Sequence, residues 1–269
     1  MAKVPEEKKQ NRYKAIIEKI FFDSYKHGSI EIEFDRDDLP RAAKALEVDL
    51  PDNLGDVIYS IRYRTSMPEK ILSVQPQGME WIIEGKGRSR YAFRLVRFNR
   101  IVPNTKLVTI KVPDSTPEIV SAYALSDEQA LLAKVRYNRL VDVFLGIASY
   151  SLQNHLRTTV DGIGQIEIDE IYVGIDKHGR QYVMPVQAKG GSDQLAAVQI
   201  KQDIAWCAQK YPNLICRAIS VQFIEDNLIA MFELVQEADE IKVAEERHYR
   251  LVSASSIGPD DLKTYVARG

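Results

Sequence analysis

Between Gly164 and Gly191 the chain reads GQIEIDEIYVGIDKHGRQYVMPVQAKGG, two β-patterned runs on either side of a turn. Runs joined in this way are expected to pair as a hairpin, and alternate side chains along a strand share a face. Gln187 and Lys189 therefore point one way and Ala188 the other. By the same rule Glu167, Asp169 and Ile171 share a face, and Glu170 looks away from it. Pairing the runs brings the Asp169 carboxylate close to an amide and an ammonium spaced two residues apart.

At 269 residues the chain is long for one core and suits two modest domains, each able to bury its own interior. Apolar residues make up 45% and charged residues 28%, as expected of a globular protein and not of a disordered or fibrous one. The opening MAKVPEEKKQNRYK lacks the apolar centre of a secretory signal, and no run approaches the roughly 18 apolar residues of a spanning helix. The expectation is a cytoplasmic protein without a membrane segment. Cys207 and Cys216 lie in apolar runs with no zinc-ligand spacing around them, and are expected to be buried free thiols.

The net charge of −2 conceals an asymmetry. From Arg62 to Lys111 there are eleven basic and three acidic residues, whereas beyond Lys111 there are 15 basic and 22 acidic ones. A basic segment on an otherwise acidic protein suits a phosphate-binding surface. In the same region, helical spacing over 11–26 is followed by a strand at 30–34, a helix through Leu39 and Leu46, and a third helix opened by Asn53 and ending in Arg62-Tyr63-Arg64. Strands at 79–84 and 91–96 then flank the basic tip Gly85-Lys86-Gly87-Arg88-Ser89-Arg90. That order is the one of a winged helix-turn-helix, which places its third helix in the major groove and its hairpin tip on phosphate. Arg62, Arg64, Lys86, Arg88 and Arg90 are the expected DNA contacts. A small α+β module that binds protein is the alternative.

Three prolines and several turn residues between Pro103 and Pro117 place a boundary there: residues 1–102 form the first domain, 103–125 a linker with one short strand, and 126–269 the second domain. Ser126-Asp127-Glu128-Gln129 reads as a capped helix start. Helical spacing continues through Leu131, Leu140, Phe144 and Leu152, so that one long helix or a kinked pair ends near Arg157. After the hairpin come a helix from Ser192 or Asp193 to Lys210, two strands at 214–224 and 228–235, a third at 241–251 and a terminal helix begun by Pro259. The fold class is α/β (α+β).

Hydrolysis of a phosphodiester requires charge neutralised at the phosphoryl group, an activated water and a stabilised leaving oxygen, and a bound Mg²⁺ contributes to all three. Mg²⁺ takes hard oxygen ligands and retains several waters. Asp169 is the expected central ligand, with the side-chain oxygen of Gln187, the carbonyl of Ala188 and the helper carboxylate of Glu167 completing the set. Lys189 is positioned to orient the attacking water and offset charge on the phosphate. His155 and Asp142 are secondary candidates, the first expected at a helix end and the second as a helical carboxylate. No phosphate-binding GxxxxGK[ST], no GxGxxG after a strand and no nucleophile elbow is present, which disfavours nucleotide hydrolysis and hydride transfer.

EIDEIYV and VQAKGG, on paired strands between a helix and a following helix and strand, resemble the PD-(D/E)xK nuclease superfamily over roughly residues 126–235. The resemblance puts the superfamily's acidic position on Asp169, its (D/E) position on Gln187 and its lysine on Lys189. Glutamine departs from the usual acid but is a variant found in the superfamily, including Mrr-like restriction enzymes. YNRLVDVFLGIASYSLQNHLRT leading into GIGQIEIDEIYVG is similar to type II restriction endonucleases. What the resemblance implies is a winged helix-turn-helix followed by a restriction-endonuclease-like mixed sheet flanked by helices. It further implies Mg²⁺-dependent cleavage of double-stranded DNA, a homodimer cutting both strands, and a cognate DNA methyltransferase as genetic companion. A DNA-binding regulator with an inactive nuclease-like domain is the alternative that Gln187 keeps open. The other is an interaction protein whose basic strands meet an acidic partner.

Overall fold

The computed structural model describes residues 6–63, 65–97, 100–123, 128–190, 195–225, 227–238 and 240–266. The chain divides into two compact units, Met1–Phe98 with Asp161–Gln165, and Asn99–Val160 with Ile166–Gly269. Both mix helices with sheet, and among the described residues no helix is long and apolar enough to cross a membrane.

The first unit runs α1 (Glu6–Ser24), β1 (Glu31–Asp35), α2 (Asp38–Ala45), α3 (Gly55–Tyr63), α4 (Glu69–Ser73), β2 (Met79–Gly85) and β3 (Arg90–Arg97). Its antiparallel sheet has the order β1-β3-β2. Tyr13, Ile16, Ile17, Ile20 and Phe21 recur at helical spacing on α1, are all buried, and form the stripe that seats this helix on the sheet. Phe21 meets Trp81 and Phe93 edge-on at 5.0 and 5.1 Å, a geometry in which the positive ring edge faces the negative ring face. The short helix α4 carries Ile71 into the same core.

The second unit contains β4 (Arg100–Ile101), β5 (Thr109–Pro113), α5 (Glu118–Tyr123), α6 (Glu128–Tyr137), α7 (Leu140–Leu145), β6 (Ala148–Val160), β7 (Gly164–Ile175), β8 (Gln181–Lys189), β9 (Leu195–Ala196) and α8 (Ala197–Lys210). It continues with β10 (Ile215–Cys216), β11 (Ala218–Glu225), β12 (Leu228–Glu237), β13 (Glu240–Val252), a 3₁₀ turn and α9 (Pro259–Val266). The main sheet is mixed, in the order β5-β13-β12-β11-β8-β7-β6, with β10 beside β8. β8 and β11 run parallel, as do β13 and β5. The segment expected to link the domains thus carries β5, an edge strand of this sheet. α6 and α7 cover one face through Leu131, Val135, Leu140 and Phe144, which pack with Met184, Val186, Ile219 and Met231. Ile200 of α8 packs on the other face with Ala218, Ala230 and Phe232.

One expectation fails here. Residues 148–157, read as the end of a long helix, form the first part of β6. The helix stops at Leu145 because Gly146 takes a left-handed conformation, φ 66° and ψ 32°, which glycine adopts at little cost. Beyond it Asp142 accepts hydrogen bonds from the backbone N–H of Ser149, at 3.0 Å, and from the Ser149 hydroxyl. These contacts fix the turn into the strand, and Asp142 is also paired with Arg139. Both carboxylate oxygens of Asp142 are thus engaged at this turn.

Candidate functional site

Register decides which side chains meet. β7 and β8 pair antiparallel from Ile175↔Gln181 to Glu170↔Val186, where the ladder ends. Directly opposed residues share a face, so Glu170 joins Val186 and Ala188 on the α6 side, while Asp169 joins Gln187 and Lys189 on the α8 side. Glu170 is fully buried on its side, bonded to Arg136 Nε at 2.9 Å and to the Ser151 hydroxyl at 2.5 Å. It belongs to the packing between α6, β6 and β7.

Past Glu170 the two strands part, and side chains fill the backbone bonds the ladder no longer makes. The Ala188 N–H donates to Asp169 Oδ2 at 2.8 Å. The Gln187 amide Nε2 donates to the carbonyl of Glu167 at 3.0 Å and to Asp203 Oδ2 at 2.9 Å. Buried backbone groups need such partners, so the opening between the strands is held by Asp169 and Gln187 themselves. It lies at the carboxyl end of β8, beside the parallel strand β11, where open sheets containing parallel strands form ligand crevices. Gln187 is level with Ser220 and Lys189 with Gln222, and Gln187, Ser220 and Gln222 are all buried. The α8 side is therefore polar at this end of the sheet.

Burial pushes the Asp169 carboxyl up to about 6, against the lowering effect of the Ala188 N–H and of Lys189; Glu128 and Glu167 push in the same direction as burial. Asp203 on α8 is buried and lies well above the usual carboxylate range, chiefly through loss of water and secondly through repulsion from Asp169, while its bond from Gln187 opposes the rise. Lys189 Nζ is 3.0 Å from Glu128 Oε1 at the start of α6. Glu167 is engaged by two cationic or ionisable partners on β6: Arg157 Nε at 3.2 Å and His155 Nε2 at 3.1 Å. His155 thus sits on an exposed strand at φ 51°, and not at a helix end.

The expected trio of Asp169, Gln187 and Lys189 is brought to one face beside the Ala188 backbone. Two members of the site went unread in the sequence, Glu128 and Asp203. Glu128 falls within Ser126–Gln129, a stretch that in sequence reads only as a capped helix start. Asp203 carried a usable signal: it lies on the stripe Ile200, Asp203, Cys207, spaced for the buried side of α8. A carboxyl on an apolar stripe is costly unless something bonds it.

The donor set suits a hard divalent cation. Among the described residues only the Ala188 N–H donates to Asp169, so Oδ1 of that carboxylate is uncommitted. Both hydrogens of the Gln187 amide are used, so its carbonyl oxygen is the end that could serve as a ligand. Among the described residues no three His, Cys, Asp or Glu side chains form a metal-binding group by themselves. An ion here would rest on one carboxylate, neutral oxygens and retained water, as Mg²⁺ commonly does.

The expected DNA contacts on the first unit separate into three groups. Arg88 and Arg90 are exposed at the β2–β3 hairpin tip. Lys86 is paired with Glu31 at 2.7 Å, and Arg62 is half-buried with Nη2 out of reach of solvent. Arg64 lies outside the described residues. From Gly55 to Arg62 no side chain of α3 is fully exposed, so this helix offers no open basic face over that stretch. Elsewhere in the basic segment Arg94 pairs with Glu84 and Lys111 with Asp261, which reduces the free positive charge. Cys207 is buried, Cys216 is half-buried, and both are free thiols.

No protein-family model and no curated protein matches the chain.

Proposed function

We propose that this protein is a metal-dependent DNA endonuclease of the PD-(D/E)xK type, with a winged-helix module in the first unit and the catalytic centre in the second. The observation that carries the reading is the parted end of β7 and β8, where Asp169, Gln187 and Lys189 share a face. Asp169 and Gln187 would hold Mg²⁺, which when bound supplies a Lewis acid at the phosphoryl oxygen and a more acidic water. Asp169, raised by burial to about 6, is ionised at neutral pH and presents its carboxylate. The Lys189 ammonium, steered by Glu128, donates hydrogen bonds to the scissile phosphate or the attacking water and offsets charge as it develops. The tip residues Arg88 and Arg90 are assigned to backbone phosphates of duplex DNA. A restriction role, with a homodimer and a companion methyltransferase, is the biological setting that this chemistry fits.

The test is supercoiled plasmid incubated with Mg²⁺ and the full chain. Nicking or linearisation by wild type, lost in Asp169→Ala and in Lys189→Ala with DNA binding retained, supports the assignment. Retained cleavage in either variant moves the active site elsewhere. One observation favours a second reading, a DNA-binding regulator that does not cut: Glu167, the expected helper carboxylate, is occupied by Arg157 and His155. Salt-sensitive plasmid binding by wild type without cleavage at any Mg²⁺ or Mn²⁺ concentration would select it.

A further inference from the structure

Asp203 makes one hydrogen bond among the described residues, to the Gln187 amide, although its side chain is almost wholly enclosed at 1% exposure. Burying a carboxyl is unfavourable unless a partner compensates, so a single contact is an unusual reason to place one on the inner stripe of α8. Across the amide, the second acceptor is the main-chain carbonyl of Glu167. A carbonyl can only accept. The amide is therefore held with both hydrogens against two fixed oxygens, and turning it over would set its own oxygen against them and lose both bonds. Gln187 is itself 1% exposed, so water cannot replace them freely.

We propose that Asp203 is a positioning residue that locks the Gln187 amide with its carbonyl oxygen presented as a cation ligand. This rests on the metal-nuclease reading above and deepens it by explaining how an amide serves in a place where an acid is usual. A carboxylate needs no orientation, since either oxygen can bind a cation. An amide has one ligating end, and an unoriented one presents nitrogen half of the time. The Asp203 acceptor, reached from α8, makes the neutral side chain behave as a fixed oxygen. Partners of ligands in this position commonly change metal affinity about 10- to 100-fold when removed.

The experiment compares wild type, Asp203→Asn and Asp203→Leu by calorimetric titration of Mn²⁺ into the full chain, with thermal unfolding of the metal-free proteins alongside. Asparagine keeps an acceptor oxygen at the same reach, and is expected to bind Mn²⁺ within about twofold of wild type. Leucine keeps the branched heavy-atom shape, with bulkier methyl groups in place of the carboxyl oxygens, and removes the acceptor; it is expected to weaken Mn²⁺ about tenfold or more with a midpoint equal to or above wild type. A purely structural Asp203 would give the opposite pattern, a lowered midpoint with unchanged affinity, and would overturn the proposal. Should the leucine variant not fold, exchange of the Gln187 side-chain amide protons in the wild-type protein decides: strong protection supports the lock, and exchange at the rate of a free glutamine overturns it. Wild type that binds no Mn²⁺ fails the nuclease reading itself, whereas wild-type binding with undiminished affinity in Asp203→Leu fails this inference alone.

Discussion

The carboxylate of Asp169 accepts the Ala188 N–H at 2.8 Å, across two strands whose own ladder has already ended at Glu170 and Val186. One contact thereby terminates the pairing, satisfies a buried donor and keeps an acid beside the residues that flank Ala188. The acid is held in a place that opposes its ionisation. Burial outweighs the Ala188 bond and the Lys189 charge.

That balance makes stability depend on pH. The folded value of about 6 lies above the ordinary 3.8, so between those values the folded state binds more protons and stability falls as pH rises. Asp169→Asn retains an oxygen for the Ala188 N–H and removes the ionisation. Thermal unfolding of the metal-free protein should show the variant more stable than wild type at pH 8, by about 1–3 kcal/mol from a shift of about two units. The gain should be absent at pH 3.5. A gain that is the same at both pH values contradicts the assignment of the shift to Asp169.

Lys189 and Glu128 are predicted to act as a pair. Glu128→Gln removes the charge that draws the Lys189 ammonium toward α6, and should lower plasmid cleavage about 10-fold, within the range seen when partners of functional groups are lost. Lys189→Ala should remove cleavage entirely, as read on an agarose gel. If Glu128→Gln cleaves like wild type, the pair is a surface contact of small energetic weight.

Arg88 and Arg90 carry the prediction for the first unit. Each substitution by alanine should shallow the slope of log affinity against log salt by about one unit on duplex DNA, measured by fluorescence anisotropy. Lys86→Ala should change it less, because Glu31 already neutralises that side chain. Slopes equal to that of wild type in all three variants would remove the hairpin tip from the DNA interface.

Gly146 tests the turn that ends α7. Its φ of 66° costs an alanine roughly 1–2 kcal/mol, with no neighbour in the way of the added methyl. Denaturant unfolding should show a loss of that order. Plasmid cleavage at a permissive temperature should be unchanged, since the contacts of Asp142 run to Ser149 and Arg139 and not to the proposed ligands.

The strands at 164–175 and 181–189 were legible because alternation and a turn fix a hairpin, and with it the face that Asp169, Gln187 and Lys189 share. α1 was legible from its five-residue stripe, and β12 from the continuous apolar run Leu228–Phe232. The 148–160 strand was not, since Leu152 continues a helical spacing that Gly146 has already ended, and from Tyr150 to His155 every residue is exposed, so that alternation begins only at Leu156. Glu128 and Asp203 join the site through tertiary placement of α6 and α8. A helix-start acid looks the same whether it caps or reaches a lysine 61 positions away.

Whether a cation sits at the parted strands is tested by a crystal of the full chain grown or soaked with Mn²⁺ and measured for anomalous scattering. A peak is expected within bonding distance of Asp169 and the Gln187 side-chain oxygen, on the α8 side of β8. A peak bound elsewhere, or these side chains left bare at saturating Mn²⁺, would contradict the proposed ligand set.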